Sequence, residues 1–160
     1  MTGVSPSVLA GHAFLHGMPA EHVARLAGIA AEVSVPAGRR FFEEGGEAAQ
    51  FWLIRTGHVA LDLCVPARPK LIVETVGGGD VIGLSWLSAP RRWQFGAEAV
   101  QPTTAFVLNG AATSALCDRY PVLGYQVTRQ LMDVAATRLH ATRIRMLDLY
   151  AANGLHASAR

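Results

Sequence analysis

The residues best suited to chemistry crowd into one stretch, Gly79-Asp80-Val81-Ile82-Gly83-Leu84-Ser85-Trp86-Leu87-Ser88-Ala89-Pro90-Arg91-Arg92-Trp93-Gln94-Phe95. It combines adjacent guanidiniums, two indoles, a hydroxyl and a glycine at the mouth of a short apolar turn. That set suits an anion. Ser85 is a hydroxyl donor, and Arg91 and Arg92 are charge-assisted donors for a phosphate. If 91–95 is extended, Arg91 and Trp93 share one face while Arg92 and Gln94 share the other. Arg91 is then the arginine that reaches the ligand. Trp86 and Trp93 offer aromatic surface for a base or an apolar ligand, or else they are core.

No other constellation competes. His12 and His16 share a helix face, but two ligands do not make a metal site, and the pair reads as surface. His58 stands alone in its strand, which argues against a cupin-like metal enzyme. Cys64 and Cys117 fall in different elements and read as free thiols. No nucleophile has an adjacent base, and there is no P-loop or Gly-x-Ser-x-Gly. The chain is therefore expected not to be an enzyme, and no metal is expected.

The elements that hold this stretch follow from periodicity. A short helix is expected around Ser7–Phe14. Pro19 opens a second over Ala20–Ala30, with Val23, Leu26, Ala27 and Ala30 on one face. From Glu32 the period becomes two. Short strands recur to Leu108, separated by Pro36-Ala37-Gly38, Glu43–Glu47, Gly57, Pro66–Lys70, Gly77–Asp80 and Gln101-Pro102. That spacing predicts a barrel or jelly roll, and Gly57 reads as a hairpin turn. Helical spacing then resumes. A short helix over Thr113–Asp118 precedes a long one from Pro121, expected to stop near Tyr150 at Asn153-Gly154. One small roll cannot bury a helix of that length, so its far half is expected to pair with a second copy.

The chain has 160 residues, 51% hydrophobic and 16% charged, with a net charge of +2. These values fit one well-packed domain and do not by themselves argue for nucleic acid. No apolar run spans a bilayer and no leader pattern opens the chain, so the expectation is a cytoplasmic protein without membrane contact.

The order of elements resembles the cyclic-nucleotide-binding domain, and more narrowly the sensor half of catabolite-activator-type (Crp/Fnr) regulators. The likeness rests on Arg40-Phe41-Phe42-Glu43-Glu44-Gly45-Gly46-Glu47 followed by Phe51-Trp52-Leu53-Ile54-Arg55-Thr56-Gly57-His58-Val59. It also rests on Gly79-Asp80-Val81-Ile82-Gly83 and on Arg138-Leu139-His140-Ala141-Thr142-Arg143. The resemblance implies an α+β jelly roll (a double-stranded β-helix) with N-terminal helices and a long C-terminal dimerisation helix. A single domain would span 1–150, with the roll over about 32–108, the helix over about 121–150 and a tail over 151–160. It implies a cyclic nucleotide, cAMP or cGMP, as ligand, with a cassette at Gly83, Leu84, Ser85, Trp86, Arg91, Arg92, Trp93 and Gln94. Thr142 and Arg143 would lie over the base, and a ligand held there would shift the helix.

Two departures matter. Where the family has a carboxylate for the ribose, this chain has Leu84. Where it has the arginine for the cyclic phosphate, this chain has Trp93. The reading is thus a dimeric small-molecule sensor with a non-standard cassette. The alternative is a dimeric protein-interaction module that has lost its ligand. Crp/Fnr regulators also carry a helix-turn-helix. Ala151–Arg160 is too short for one, so direct DNA binding is not expected.

Overall fold

The computed structural model describes residues 3–157, and side chains as far as residue 151. Two four-stranded antiparallel sheets face each other, framed by helices. Helices α1 (Pro6–Ala10) and α2 (Ala20–Ala27) lead into strand β1 (Ala30–Val35). Strands β2 (Arg40–Phe42), β3 (Gln50–Thr56), β4 (His58–Leu63), β5 (Leu71–Gly77), β6 (Val81–Ile82), β7 (Gly96–Ala99) and β8 (Thr103–Asn109) follow. Helices α3 (Gly110–Arg119) and α4 (Pro121–Ala157) close the chain. One sheet has the order β1-β8-β3-β6 and the other β2-β7-β4-β5. This is the expected jelly roll.

Several boundaries differ from the sequence reading: α1 ends at Ala10 and not near Phe14, and α3 begins at Gly110, before Thr113. Helix α2 stops at Ala27, where the Gly28 N–H caps onto the Ala24 carbonyl and the Ile29 N–H onto the Leu26 carbonyl, both at 3.1 Å. Ala30, expected on its apolar face, instead begins β1. The Gly57 turn is not a hairpin: β3 and β4 lie in opposite sheets, so Gly57 is a corner where the chain changes sheet. Gly57 has φ +88°, and a Cβ there would lie 2.5 Å from Thr103 Oγ1, so both conformation and space demand glycine. Finally, α4 runs through Asn153-Gly154 to Ala157, and most of the expected 151–160 tail is helix. One interior glycine costs a helix only about 1 kcal/mol.

Phe51, Trp52, Leu53 and Ile54 are buried in succession, so both faces of β3 are covered. Against this core α4 presents Leu123, Val127 and Leu131, all buried. The His22 ring lies 2.6 Å from Gln126 Oε1 and ties α2 to α4. His12, expected at the surface, is buried. Its Nε2 donates to the Ile54 carbonyl at 2.8 Å, and its Nδ1 accepts from the Phe14 N–H at 3.2 Å. Only the neutral ring satisfies both bonds, and burial lowers its pKa from 6.5. His16 is exposed and takes no part.

Candidate functional site

Gly83 begins the cassette in the left-handed conformation, φ +87° and ψ +40°, and caps a one-turn 3-10 helix over Leu84–Leu87. A Cβ at Gly83 would meet the Gln50 carbonyl at 3.1 Å and the Phe51 Cα at 3.2 Å. Only glycine combines that dihedral with that approach. Leu84 is half-buried and packs against the core, and Ser85 Oγ lies 3.5 Å from the Gln94 N–H. Trp86 is buried with its ring stacked on Phe51, centroids 5.1 Å apart. Its Nε1 is buried and has no hydrogen-bond partner among the described residues.

The second half of the cassette is not the extended strand that the alternation argument requires. Arg91 has φ +55°, a left-handed residue that breaks the alternation at its start. Arg91, Arg92, Gln94 and Phe95 are all exposed, and only Trp93 turns inward. The backbone is clamped to the turn before β3. Ala48 N–H donates to the Arg91 carbonyl at 2.8 Å, Trp93 N–H to Gly46 at 2.9 Å, and Gly45 N–H to Trp93 at 2.8 Å. The Arg92 guanidinium donates to the Gly45 carbonyl at 3.0 Å, which uses it structurally.

Trp93 is 6% exposed. It stacks on Phe42 at 4.0 Å and lies 5.9 Å from the Trp52 ring, which itself stacks on Phe42 at 5.4 Å. Trp86 and Trp93 are therefore both core residues. At the two positions where the resemblance implies a carboxylate and a guanidinium for a cyclic nucleotide's ribose and phosphate, the chain has a packed leucine and a buried indole. Those two positions do not fit that group.

On the outer side of the second sheet lies an ionic network that the sequence reading missed. Arg40 forks onto Asp62 with two bonds of 2.9 Å and reaches Glu98 at 3.1 Å. Its Nε lies 2.7 Å from Glu43 Oε1 but lacks hydrogen-bond alignment, so this contact is one of charge only. The hydrogen bonding to Asp62 raises the Arg40 pKa. A Cβ at Gly96 would fall 1.9 Å from the guanidinium, which explains the glycine.

A further contact joins the roll to α4. Glu74 on β5 lies 3.7 Å from both Arg138 and Arg145, and these two also donate to the Val81 and Val73 carbonyls. Burial lowers the Arg138 pKa, against the opposing pull of Glu74 and Asp80. Arg138 and Arg145 thus belong to the roll-facing side. Their seven-residue spacing continues the face of Leu131 and Val134, and that was the available signal. Thr142 and Arg143 are exposed on α4.

Two clefts flank these elements. One, of about 290 Å³, lies between α4 and the β5–β6 loop and includes Glu74, Asp80 and Arg138. The other, of about 380 Å³, lies between the cassette and α3 and includes Trp86 and Arg91. Neither includes Gly83, Leu84, Trp93, Thr142 or Arg143. Among the described residues no cluster of three or more His, Cys, Asp or Glu could hold a metal ion. No helix among them is long and apolar enough to cross a membrane.

The family model described as cyclic nucleotide-binding domain matches residues 32–120. The chain belongs to the cyclic nucleotide-binding domain family. A Geobacter metallireducens GS-15 structure, provisionally described as a cyclic nucleotide-binding protein, is 26% identical with a TM-score of 0.75 over 86% of this chain and 99% of its own. A cyclic nucleotide-binding domain from Methylobacillus flagellatus KT is 24% identical, with a TM-score of 0.76 over 82% and 74% of the two chains. The catabolite activator protein of Thermus thermophilus is also 24% identical, with a TM-score of 0.69 over 87% of this chain and 63% of its own. The last two likenesses concern the fold. No curated protein matches the chain. As a cyclic-nucleotide-binding-family roll, the domain keeps the glycine corner and the one-turn helix of its cassette. The side chains within that frame are its own.

Proposed function

We propose that this chain is a non-enzymatic, cytoplasmic regulatory domain that acts as a homodimer through α4 and presents a surface to a protein partner. Its roll interior does not take cyclic nucleotide by the family's arginine–phosphate contact. The observation that carries this reading is Trp93, buried and stacked on Phe42 where the resemblance implies the phosphate-binding arginine. A phosphate there would lose its hydration and gain no cation, a cost of several kcal/mol for a buried ion.

The dimer is supported by the outward side of α4. Tyr125, Met132, Leu139 and Met146 recur every seven residues, and all four are exposed. A strict seven-residue apolar stripe is the pattern of a coiled-coil seam. Glu74, Arg138 and Arg145 couple that helix to β5, so a partner bound to one bears on the other.

A second reading, a sensor with an altered ligand, draws on the preserved backbone. Gly83 is left-handed and Leu84–Leu87 form the one-turn helix that would present N–H groups. Isothermal titration with cAMP and cGMP separates the two readings. We expect no saturable heat from either, and saturable micromolar binding of either would overturn the proposal.

A further inference from the structure

Val134 is the last large hydrophobic side chain of α4 that packs against the core. Leu139, Ile144, Met146, Leu147, Leu149 and Tyr150 are all exposed. Among the described residues, the polar ties of α4 to the roll beyond Val134 all come from two arginines, Arg138 and Arg145.

Both ties converge on one acid. Glu74 Oε2 lies 3.7 Å from Arg138 Nε, and its Oε1 lies 3.7 Å from Arg145 Nη2. A single carboxylate on β5 thus bridges two guanidiniums seven residues apart. Each arginine also reaches an edge strand. Arg138 donates to the Val81 carbonyl on β6, and Arg145 to the Val73 carbonyl on β5. Strand β6 ends one sheet and β5 ends the other, so the pair joins α4 to both sheets.

The Arg138 side chain is only 20% exposed, and burial lowers its pKa. Removing one member of a largely buried pair leaves the other charge uncompensated. Asp80 also attracts this guanidinium, but from farther off, and its carboxylate accepts the Gly77 N–H at 2.8 Å. Glu74 is the acid in contact.

These arginines adjoin the exposed heptad stripe. Arg138 precedes Leu139 and Arg145 precedes Met146, and successive helical residues point about 100° apart. Whatever fixes the two arginines on the roll also fixes the direction in which Leu139 and Met146 face. A stripe already held in one direction gives up less freedom on pairing.

We propose that Glu74 is a latch that holds residues 138–150 of α4 on the roll and, by aiming the stripe, strengthens the dimer. Its effect on the dimer rests on the α4-dimer reading above, whereas the latch itself does not.

Hydrogen exchange of the full chain, followed by mass spectrometry, tests the latch. In Glu74→Gln the amides of 138–150 should exchange at least about tenfold faster than in the parent, the scale of losing an interaction with a charged group. Those of 121–134 should be unchanged. The same acceleration is expected when parent and variant both carry Leu139→Glu, which removes the stripe and leaves the latch. At about 1 M NaCl, where charges are screened within about 3 Å, the difference should narrow, a response that a packing role would not give. In sedimentation Glu74→Gln should weaken the dimer by at least about threefold, the scale of immobilising one more side chain on pairing. The latch falls if Glu74→Gln exchanges like the parent over 138–150, or if faster exchange spreads over the whole of α4. Unchanged dimer strength in Glu74→Gln overturns the effect on the dimer. A parent that sediments as a monomer overturns the dimer reading, and the exchange comparison still decides the latch.

Discussion

Trp93 lies face to face with Phe42, their ring centroids 4.0 Å apart and their planes inclined by 19°. The contact ties the end of the cassette to β2 and closes the roll interior with aromatic surface where the resemblance implies a cation. Offset aromatic pairs add about 0.5–1.5 kcal/mol beyond the area they bury.

Trp93→Ala should therefore lower stability by about 3–5 kcal/mol, the usual cost of deleting a large buried aromatic. Trp93→Phe should retain most of it. Urea unfolding of both variants decides the matter. A Trp93→Ala variant as stable as the parent would mean that the interior is not closed by this ring.

Asp62 is 4% exposed and carries both prongs of the Arg40 fork. Asp62→Ala leaves a largely buried guanidinium short of its main partner and should cost about 3 kcal/mol, at the lower end for breaking a buried pair because Glu98 remains. Gly96→Ala should disrupt the same network from the other side, since its methyl would collide with Arg40. Chemical denaturation of the two single variants and the double variant should show less-than-additive losses.

His12 makes stability depend on pH. Its folded pKa lies below the unfolded value of 6.5, so the unfolded chain binds the proton first. Stability is then fully present above about pH 6.5 and declines as pH falls through that value toward the folded pKa. His12→Asn should flatten the decline between pH 7 and 5 in thermal melts, at some cost in stability at neutral pH. An identical pH profile in parent and variant would assign the dependence to other groups.

Leu139 sits at the centre of the exposed heptad stripe of α4. Leu139→Glu should shift sedimentation from dimer to monomer with little change in the secondary structure of the roll. If the parent chain already sediments as a monomer at high concentration, the dimer proposal is lost.

How much of this was legible in the residues differs from element to element. Period two between Glu32 and Leu108, with glycine and proline at the breaks, determined a roll of short strands. Period 3.6 from Pro121 determined a long helix. Local chemistry also singled out Gly83, because its dihedral and its close approach are glycine requirements. The sequence also put Leu84 and Trp93 at the positions where the resemblance implies a carboxylate and an arginine. It could not say where the indole went. That depended on Phe42 and Trp52, distant in the chain and brought alongside by two different sheets. The same limit applies to Arg40 with Asp62, to Glu74 with Arg138, and to His12 with the Ile54 carbonyl, each pair far apart in sequence. Alternation failed at Arg91 because a left-handed residue resets the parity, and no periodicity marks such a residue in advance. Periodicity and turn chemistry are local, so they fix elements. Which side chains meet is decided by strand order and sheet pairing, which only the tertiary structure supplies.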